Sequence, residues 1–470
     1  MRNIVSLFGK KIGSLKNLSL LMLALGIVWS LTSTAQAIPS FSRQTGMSCA
    51  ACHTVFPELT AYGRWFKLNG YTSGEAEQIT DKDDKTGEVA LEIQKAPPLS
   101  AMIQVSNELV QTPPDASPSA GDDKRGFLAF PAQFSLFYSG EITPNIGSFV
   151  QVTYDSNSGT FHWDNTDIRY ATHFDMGGID TIFGLTLNNN PTVQDVFNTI
   201  PAWGFPYAVP SSNVPTPAGP QISALGGNVG GLGAYLYLDK MFYIEGSLYR
   251  TGPQGFGTTT TYSTLEGYAP YGRVAFLQEF GDNSLEIGAL GMVMDETPAD
   301  GSTLIAGISP DRYVDYGLDA QFQYVTKDLQ GSVQASWIRE DQTLNATNAE
   351  GSSANLTNSL QQMRFTGTLY AKRQLGLTLS FFDVAGTGDN LLYPVAPTTG
   401  SATGIPDSYG MVYEVNYVPW LNTKLSLQYT EYFEFNGTND ALNSGIGYDG
   451  VTGRRASDNN TLMVMAWFAY

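Results

Sequence analysis

The chain has 470 residues, with 44 acids against 25 Lys and Arg and a formal net charge of −19. That balance excludes a nucleic-acid surface built on basic patches, and two cysteines are too few for a disulfide framework. Mean hydropathy is only −0.13 despite 25 Tyr, 25 Phe and 49 Gly, a composition shared by outer-membrane barrels and large secreted all-β proteins.

Residues 1–37 read as an export signal. Arg2, Lys10, Lys11 and Lys16 precede an apolar run from Leu18 to Leu31, and Ala35-Gln36-Ala37 supplies a small-x-small cleavage site. The competing reading, a membrane anchor, would be short and is followed at once by Ile38-Pro39. Beyond it there is no stretch of about twenty apolar residues, which excludes a helical membrane protein.

Residues 38–75 form the stretch least like the rest. Met47-Ser48-Cys49-Ala50-Ala51-Cys52-His53 holds both cysteines and one of three histidines. A C-x-x-C-H run offers two thiols for covalent attachment of one haem c and an imidazole, His53, as proximal ligand to its iron. A disulfide, a dithiol redox pair or half a zinc site are the rival readings. The export signal favours haem, because haem is attached to exported cytochromes outside the inner membrane. Pro57 is expected in the first turn of a small helix that carries Leu59, Tyr62 and Phe66 on one face, with Trp65 beside them and Asn69-Gly70 as its stop. So short a unit buries little by itself, so it is expected to plug the barrel lumen, with strands as the second wall of the haem site. Arg43, Arg64 and Lys67 are candidate contacts for the haem propionates, against the reading of solvated charges. His162, His173 and Met102 are the candidate sixth ligands; the two histidines flank an expected strand from Trp163 to Thr172. Met47 is tethered close to Cys49, which counts against it.

Residues 76–98 read as a linker and 99–470 as a transmembrane antiparallel β-barrel of about sixteen strands. Val314, Tyr316, Leu318, Ala320, Phe322 and Tyr324 alternate with Asp315, Gly317, Asp319, Gln321 and Gln323. Leu375, Leu377, Leu379 and Phe381 alternate in the same way with Gly376, Thr378 and Ser380, as do Leu425, Leu427 and Tyr429 with Lys424, Ser426 and Gln428. Tight turns, as at Asp239-Lys240 and Lys372 to Gln374, are interleaved with longer links, as at Ser156 to Asp164 and Val384 to Asp407. Short periplasmic turns and long outward loops are the habit of outer-membrane barrels, and an even strand count closes the sheet. The longest link, Asn188 to Asn228, reads either as a constriction folded into the lumen or as a surface loop stiffened by Pro201, Trp203 and Pro206. The chain stops on Met463-Val464-Met465-Ala466-Trp467-Phe468-Ala469-Tyr470, a strand ending on an aromatic; a soluble sandwich strand is the alternative.

The run Pro39-Ser40-Phe41-Ser42-Arg43-Gln44-Thr45-Gly46-Met47-Ser48-Cys49-Ala50-Ala51-Cys52-His53, with Phe56-Pro57-Glu58-Leu59 and Gly63-Arg64-Trp65-Phe66-Lys67-Leu68-Asn69-Gly70-Tyr71, resembles the start of the fused monohaem cytochrome–porin family of Gram-negative bacteria. The resemblance implies Cys49 and Cys52 for haem attachment, His53 for proximal ligation, and electron transfer across the outer membrane. The donor it implies is extracellular ferrous iron, and the acceptor a periplasmic cytochrome c or cupredoxin. A ferrous iron oxidase activity that reduces cytochrome c is thus the expectation. Asp115, Asp122, Asp123, Asp295, Glu296, Asp300, Glu340, Asp341, Glu350, Asp440 and Asp458 sit in the expected outward loops, where they would concentrate divalent cations. Such acids are also common wherever lipopolysaccharide surrounds a barrel. Two rivals stand beside this reading: a diffusion porin with a structural or regulatory haem, and a secreted soluble haem protein. A monomer in outer-membrane lipid is preferred over the trimer common among general porins.

Overall fold

The computed structural model describes residues 39–72, 77–112, 126–155, 159–199, 216–252, 264–298, 306–396, 400–420, 422–440 and 453–470. The export signal, Pro201 to Pro206, and the acids Asp115, Asp122, Asp123 and Asp300 lie outside them.

Sixteen long strands close into an antiparallel barrel. They are β1 (Leu99–Val110), β2 (Gly126–Thr143), β3 (Ile146–Asp155), β4 (Thr160–Asp175), β5 (Asp180–Asn188), β6 (Val229–Leu238), β7 (Phe242–Thr251) and β8 (Ala269–Phe280). The second half continues with β9 (Asn283–Thr297), β10 (Asp311–Val325), β11 (Leu329–Thr343), β12 (Thr357–Ala371), β13 (Leu375–Gly386), β14 (Ser408–Tyr417), β15 (Thr423–Phe435) and β16 (Thr461–Ala469). Strand β16 pairs with β1 from Thr461↔Val110 to Ala469↔Met102, and Tyr470 exchanges backbone bonds with Ala101 at 2.7 and 2.9 Å. No strand of the wall is left with an open edge, the condition for backbone in hydrocarbon.

The period-two patterns fall as the alternation requires. Leu318, Leu377 and Leu379 face outward and are more than half exposed, whereas Asp319, Gln321, Thr378 and Ser380 are buried inside. An apolar exterior over a polar interior is the transmembrane arrangement and argues against a secreted soluble protein. Two of the tight turns, Asp239-Lys240 and Lys372-Arg373, place two consecutive residues at φ of 49° to 59°, the left-handed pair whose twist matches that of the flanking strands. One link is shorter than expected: β4 starts at Thr160, so His162 and His173 lie within a strand instead of flanking it.

Residues 39–72 occupy the lumen at the short-turn end. Three helices, α1 (Pro39–Thr45), α2 (Cys49–Cys52) and α3 (Ala61–Leu68), are held by polar side chains of the wall. Gln323 donates to the Leu59 carbonyl at 2.9 Å, Tyr235 to that of Leu68 at 2.6 Å, and Gln330 to that of Thr54. In return the Tyr71 hydroxyl donates to Asp167 at 2.6 Å. Pro57 is not in the first helical turn. It follows the short strand His53–Val55 in a turn, and α3 begins after Thr60, whose hydroxyl caps it by accepting from the Gly63 amide at 3.1 Å.

Residues 76–98 are more than a linker. Gln78–Lys82 and Val89–Gln94 pair as an antiparallel hairpin, and Gln94 donates to the Glu141 carbonyl at 3.0 Å at the rim of β2.

Of the longest link, residues 200–215 lie outside the described ones, and the part described bears out an inward fold. Residues 189–199 fold into the lumen, with Gln194, Asp195, Val196 and Phe197 almost wholly buried. Arg273 of β8 lies 3.4 Å from Asp195, and it also pairs with Glu286 at 3.2 Å and Asp319 at 2.7 Å. Across the lumen, Gln321 donates to the Phe197 carbonyl and Gln334 to that of Asn198, both at 3.2 Å.

Gly147 marks where plug and wall touch, since a Cβ there would stand 2.3 Å from the Gly70 carbonyl oxygen and 3.0 Å from the Tyr71 Cβ. Gly147→Ala is expected to leave the barrel folded, still heat-modifiable on gels. It should displace the end of the plug, making residues 39–72 cut faster by protease than in the parent.

Candidate functional site

The C-x-x-C segment is a single turn of helix, Cys49–Cys52, clamped from one side by α3. The Thr60 amide donates to the Cys52 carbonyl at 2.8 Å, and the Thr60 hydroxyl donates to that of Ala51 at 2.6 Å. Glycine is required at position 63, because a Cβ there would lie 2.2 Å from the Cys52 oxygen. The cysteines are thus presented by a rigid turn whose outer face is fixed.

His53 follows directly, its Nδ1 3.2 Å from the Pro57 carbonyl. A carbonyl only accepts, so Nδ1 carries the proton and coordination is directed to Nε2. Burial pulls the imidazole pKa down to about 4, so the ring is neutral at pH 7, as a metal ligand must be. Burial pushes the Cys49 thiol up and that of Cys52 to about 11, with Cys49 adding to the latter shift. A catalytic dithiol needs the opposite displacement, which argues against the dithiol reading. Among the described residues no group of three or more His, Cys, Asp or Glu is arranged to hold a metal ion.

Both cysteines and His53 open onto one cleft of about 970 Å³, mouth included, between the plug and the wall. Its plug side is Phe41, Phe56, Leu59 and Phe66; its wall side is Met102, Phe137, Phe149 and Trp467, from four neighbouring strands, β16, β1, β2 and β3. Its lining is apolar with few polar groups, the character of a cofactor site. Two thiols and a neutral imidazole on an aromatic-lined cleft fit a covalently held haem.

Of the other candidates, Met102 and Lys67 line this cleft, and so does Met47 despite its tether. Lys67 also donates to the Val193 carbonyl of the folded-in loop at 2.6 Å. The remaining candidates are engaged elsewhere. Arg64 is buried against the wall, donating to Leu59 at 2.8 Å, Ser284 at 3.0 Å and Gln323 at 3.1 Å, so its charge docks the plug. Arg43 donates to the Leu99 carbonyl. His162 lies 3.0 Å from the Thr160 hydroxyl near the outward end of β4, and His173 meets Asn69 at the rim. None of these four lines the cleft.

Phe137, Phe149 and Trp467 escaped the sequence reading, although a signal for them existed. Phe137 sits between outward-facing Leu136 and Tyr138, so it must point inward, where polar residues are the rule. Met463, Met465 and Trp467 break the same rule on β16. Apolar residues at inward positions of adjacent strands mark where the wall receives something apolar.

No family model and no curated protein matches this sequence. Among solved structures the chain is similar to the in-vitro folded outer membrane protein OmpT of Vibrio cholerae, at 11% identity and TM-score 0.43, covering 79% of this chain and 96% of that one. Salmonella typhi OmpF in complex with daunomycin gives 13% identity and 0.43, covering 79% and 97%. The anion-selective porin from Comamonas acidovorans gives 11% and 0.43, covering 79% and 98%.

Gly63→Val is expected to push α3 off the cysteine turn while leaving the barrel intact. The ratio of covalent haem to protein, read from the pyridine haemochrome spectrum, should fall several-fold; an unchanged ratio would mean that the clamp is irrelevant to attachment.

Proposed function

We propose that this outer-membrane barrel transfers electrons through one covalent haem c, taking them from extracellular ferrous iron and delivering them to a periplasmic cytochrome c or cupredoxin. The observation that carries this reading is the convergence of Cys49, Cys52, neutral His53 and Met102 on one apolar cleft. The haem would supply the one-electron chemistry; the protein supplies attachment, orientation and surroundings. Cys49 and Cys52 would hold the macrocycle, His53 would ligate its iron, and Met102, carried by the wall onto the same cleft, is the preferred candidate for a further ligand. Lys67, which lines the cleft while donating to the Val193 carbonyl, is the candidate cation for a propionate.

The plug and the loop 189–199 meet through Lys67 and Val193, and both fill the lumen around the cleft. A plug and a folded-in loop placed beside the cleft favour a redox unit over an open passage. Four of the acids expected in outward loops, Asp295, Glu296, Glu340 and Asp341, lie within β9 and β11 instead, and Glu296 and Glu340 are buried. Asp295 is paired with Arg312 at 2.7 Å, Asp341 with Arg339 at 3.0 Å, and Glu340 accepts from the Gln221 amide. Attraction of ferrous iron therefore rests on the net charge of −19 more than on any one acid. A second reading, a diffusion porin with a structural haem, is favoured by the sixteen-strand barrel and its polar interior; single-channel conductance in planar bilayers separates the two.

Anoxic stopped-flow mixing of ferrous iron with the oxidised, haem-loaded protein should reduce the haem bands. Reduction by an organic donor but not by iron would reject the donor while keeping the cofactor. His53→Ala should abolish proximal ligation and redox activity, and Cys49→Ser should lower covalent haem yield. Met102→Ala should keep the haem but remove the sulfur-to-iron band in the red region of the oxidised spectrum and lower the potential; an unchanged spectrum would exclude Met102 as ligand.

A further inference from the structure

The hairpin of Gln78–Lys82 and Val89–Gln94 has two unlike faces. Gln78 and Gln94 are paired in register and both reach Glu141 of β2, so the base of this face rests on the barrel rim. The opposite face carries Ile79 paired with Ile93, Leu91 paired with Asp81, and Val89. These four apolar side chains are 46–53% exposed, at the short-turn end where no lipid-facing strand requires them.

The hairpin is next door to the cleft. Glu141 accepts from Gln94 on its carbonyl, while its amide donates to Gln44 of α1 at 3.1 Å. From the same helix Phe41, Ser42 and Thr45 line the cleft. Through Glu141 the base of the hairpin is therefore linked to the helix that lines the candidate haem site.

Charge decides what could cover this face. Residues 77–95 hold six acids, Glu77, Asp81, Asp83, Asp84, Glu88 and Glu92, against three lysines, one of which is paired with Glu77 at 2.6 Å. A second copy would bring the same acidic rim against itself, and anionic lipid would be repelled. A basic protein with an apolar patch is complementary on both counts.

We infer that this hairpin is the docking surface for a basic, soluble one-electron carrier of the periplasm, an inference that rests on the electron-transfer reading above. The contact is small, weak and steered by charge, as electron-transfer encounters are.

The test uses the haem-loaded full chain in single-barrel nanodiscs, titrated with a small basic cytochrome c as probe and an acidic cupredoxin as counter-probe, with binding read from the probe's own NMR shifts. Affinity for the basic probe should fall at least tenfold in the double variant Leu91→Ser, Ile93→Ser and with rising salt. Because those changes could loosen the hairpin, Asp81→Lys with Glu92→Lys provides the second arm: the apolar face stays, the basic probe should be lost, and the acidic one should gain. Equal binding by parent and both variants would overturn the inference. So would hairpin amides already protected from hydrogen exchange by anionic nanodisc lipid alone, or association between two barrels that the variants abolish. If the chain carries no haem, the electron-transfer reading fails whatever the probe does. If the haem is present and reducible but the probe ignores the hairpin, only the docking inference fails.

Discussion

Sheet closure is the constraint on which everything else depends. A strand in hydrocarbon has no water to satisfy its backbone, so β16 must find β1, and the sheet can end nowhere. Closure at sixteen strands then leaves an interior wide enough to admit a plug, and its lining is polar because the apolar half of each strand faces lipid. The plug and the folded-in loop lie in that interior. They are held mainly by hydrogen bonds from wall side chains, such as Gln323, Tyr235 and Gln330, to plug carbonyls that would otherwise be buried unpaired.

Buried charge fixes where the loop meets the wall. Arg273 faces Asp195, Glu286 and Asp319 with no exposed side chain among the four. Removing Arg273 would leave three buried carboxylates without their cation, so this one side chain couples the loop to β8, β9 and β10. Phe197 lies under the Arg273 guanidinium, 4.9 Å from its ring centroid, and adds a cation–π contact to the same anchor.

The cleft exists because the polar rule for the interior is broken locally. Four adjacent strands supply Met102, Phe137, Phe149 and Trp467 to the side facing the C-x-x-C-H turn, and the plug supplies the other side. Neither part could make an apolar site alone: the plug is too small to enclose one, and the wall would expose one to water. Folding of the barrel and formation of the candidate site are therefore coupled. That coupling also explains the glycine at 147, where wall and plug backbones approach too closely for a Cβ.

By itself the sequence determined what depends on local periodicity and on short motifs. Alternation fixed the outward and inward faces of the strands, turn residues fixed their ends, and the even count followed from the need for closure. The C-x-x-C-H spacing singled out Cys49, Cys52 and His53 without any fold at all. Tertiary structure decided what depends on which strands become neighbours. It set Met102 on the cleft and turned His162 and His173 away from it. It buried Arg64 as a docking residue, brought residues 189–199 inward to Arg273, and made a hairpin of the expected linker. A single arginine, methionine or histidine carries no periodicity, so its partner becomes legible only when closure brings distant strands to the same side of the lumen.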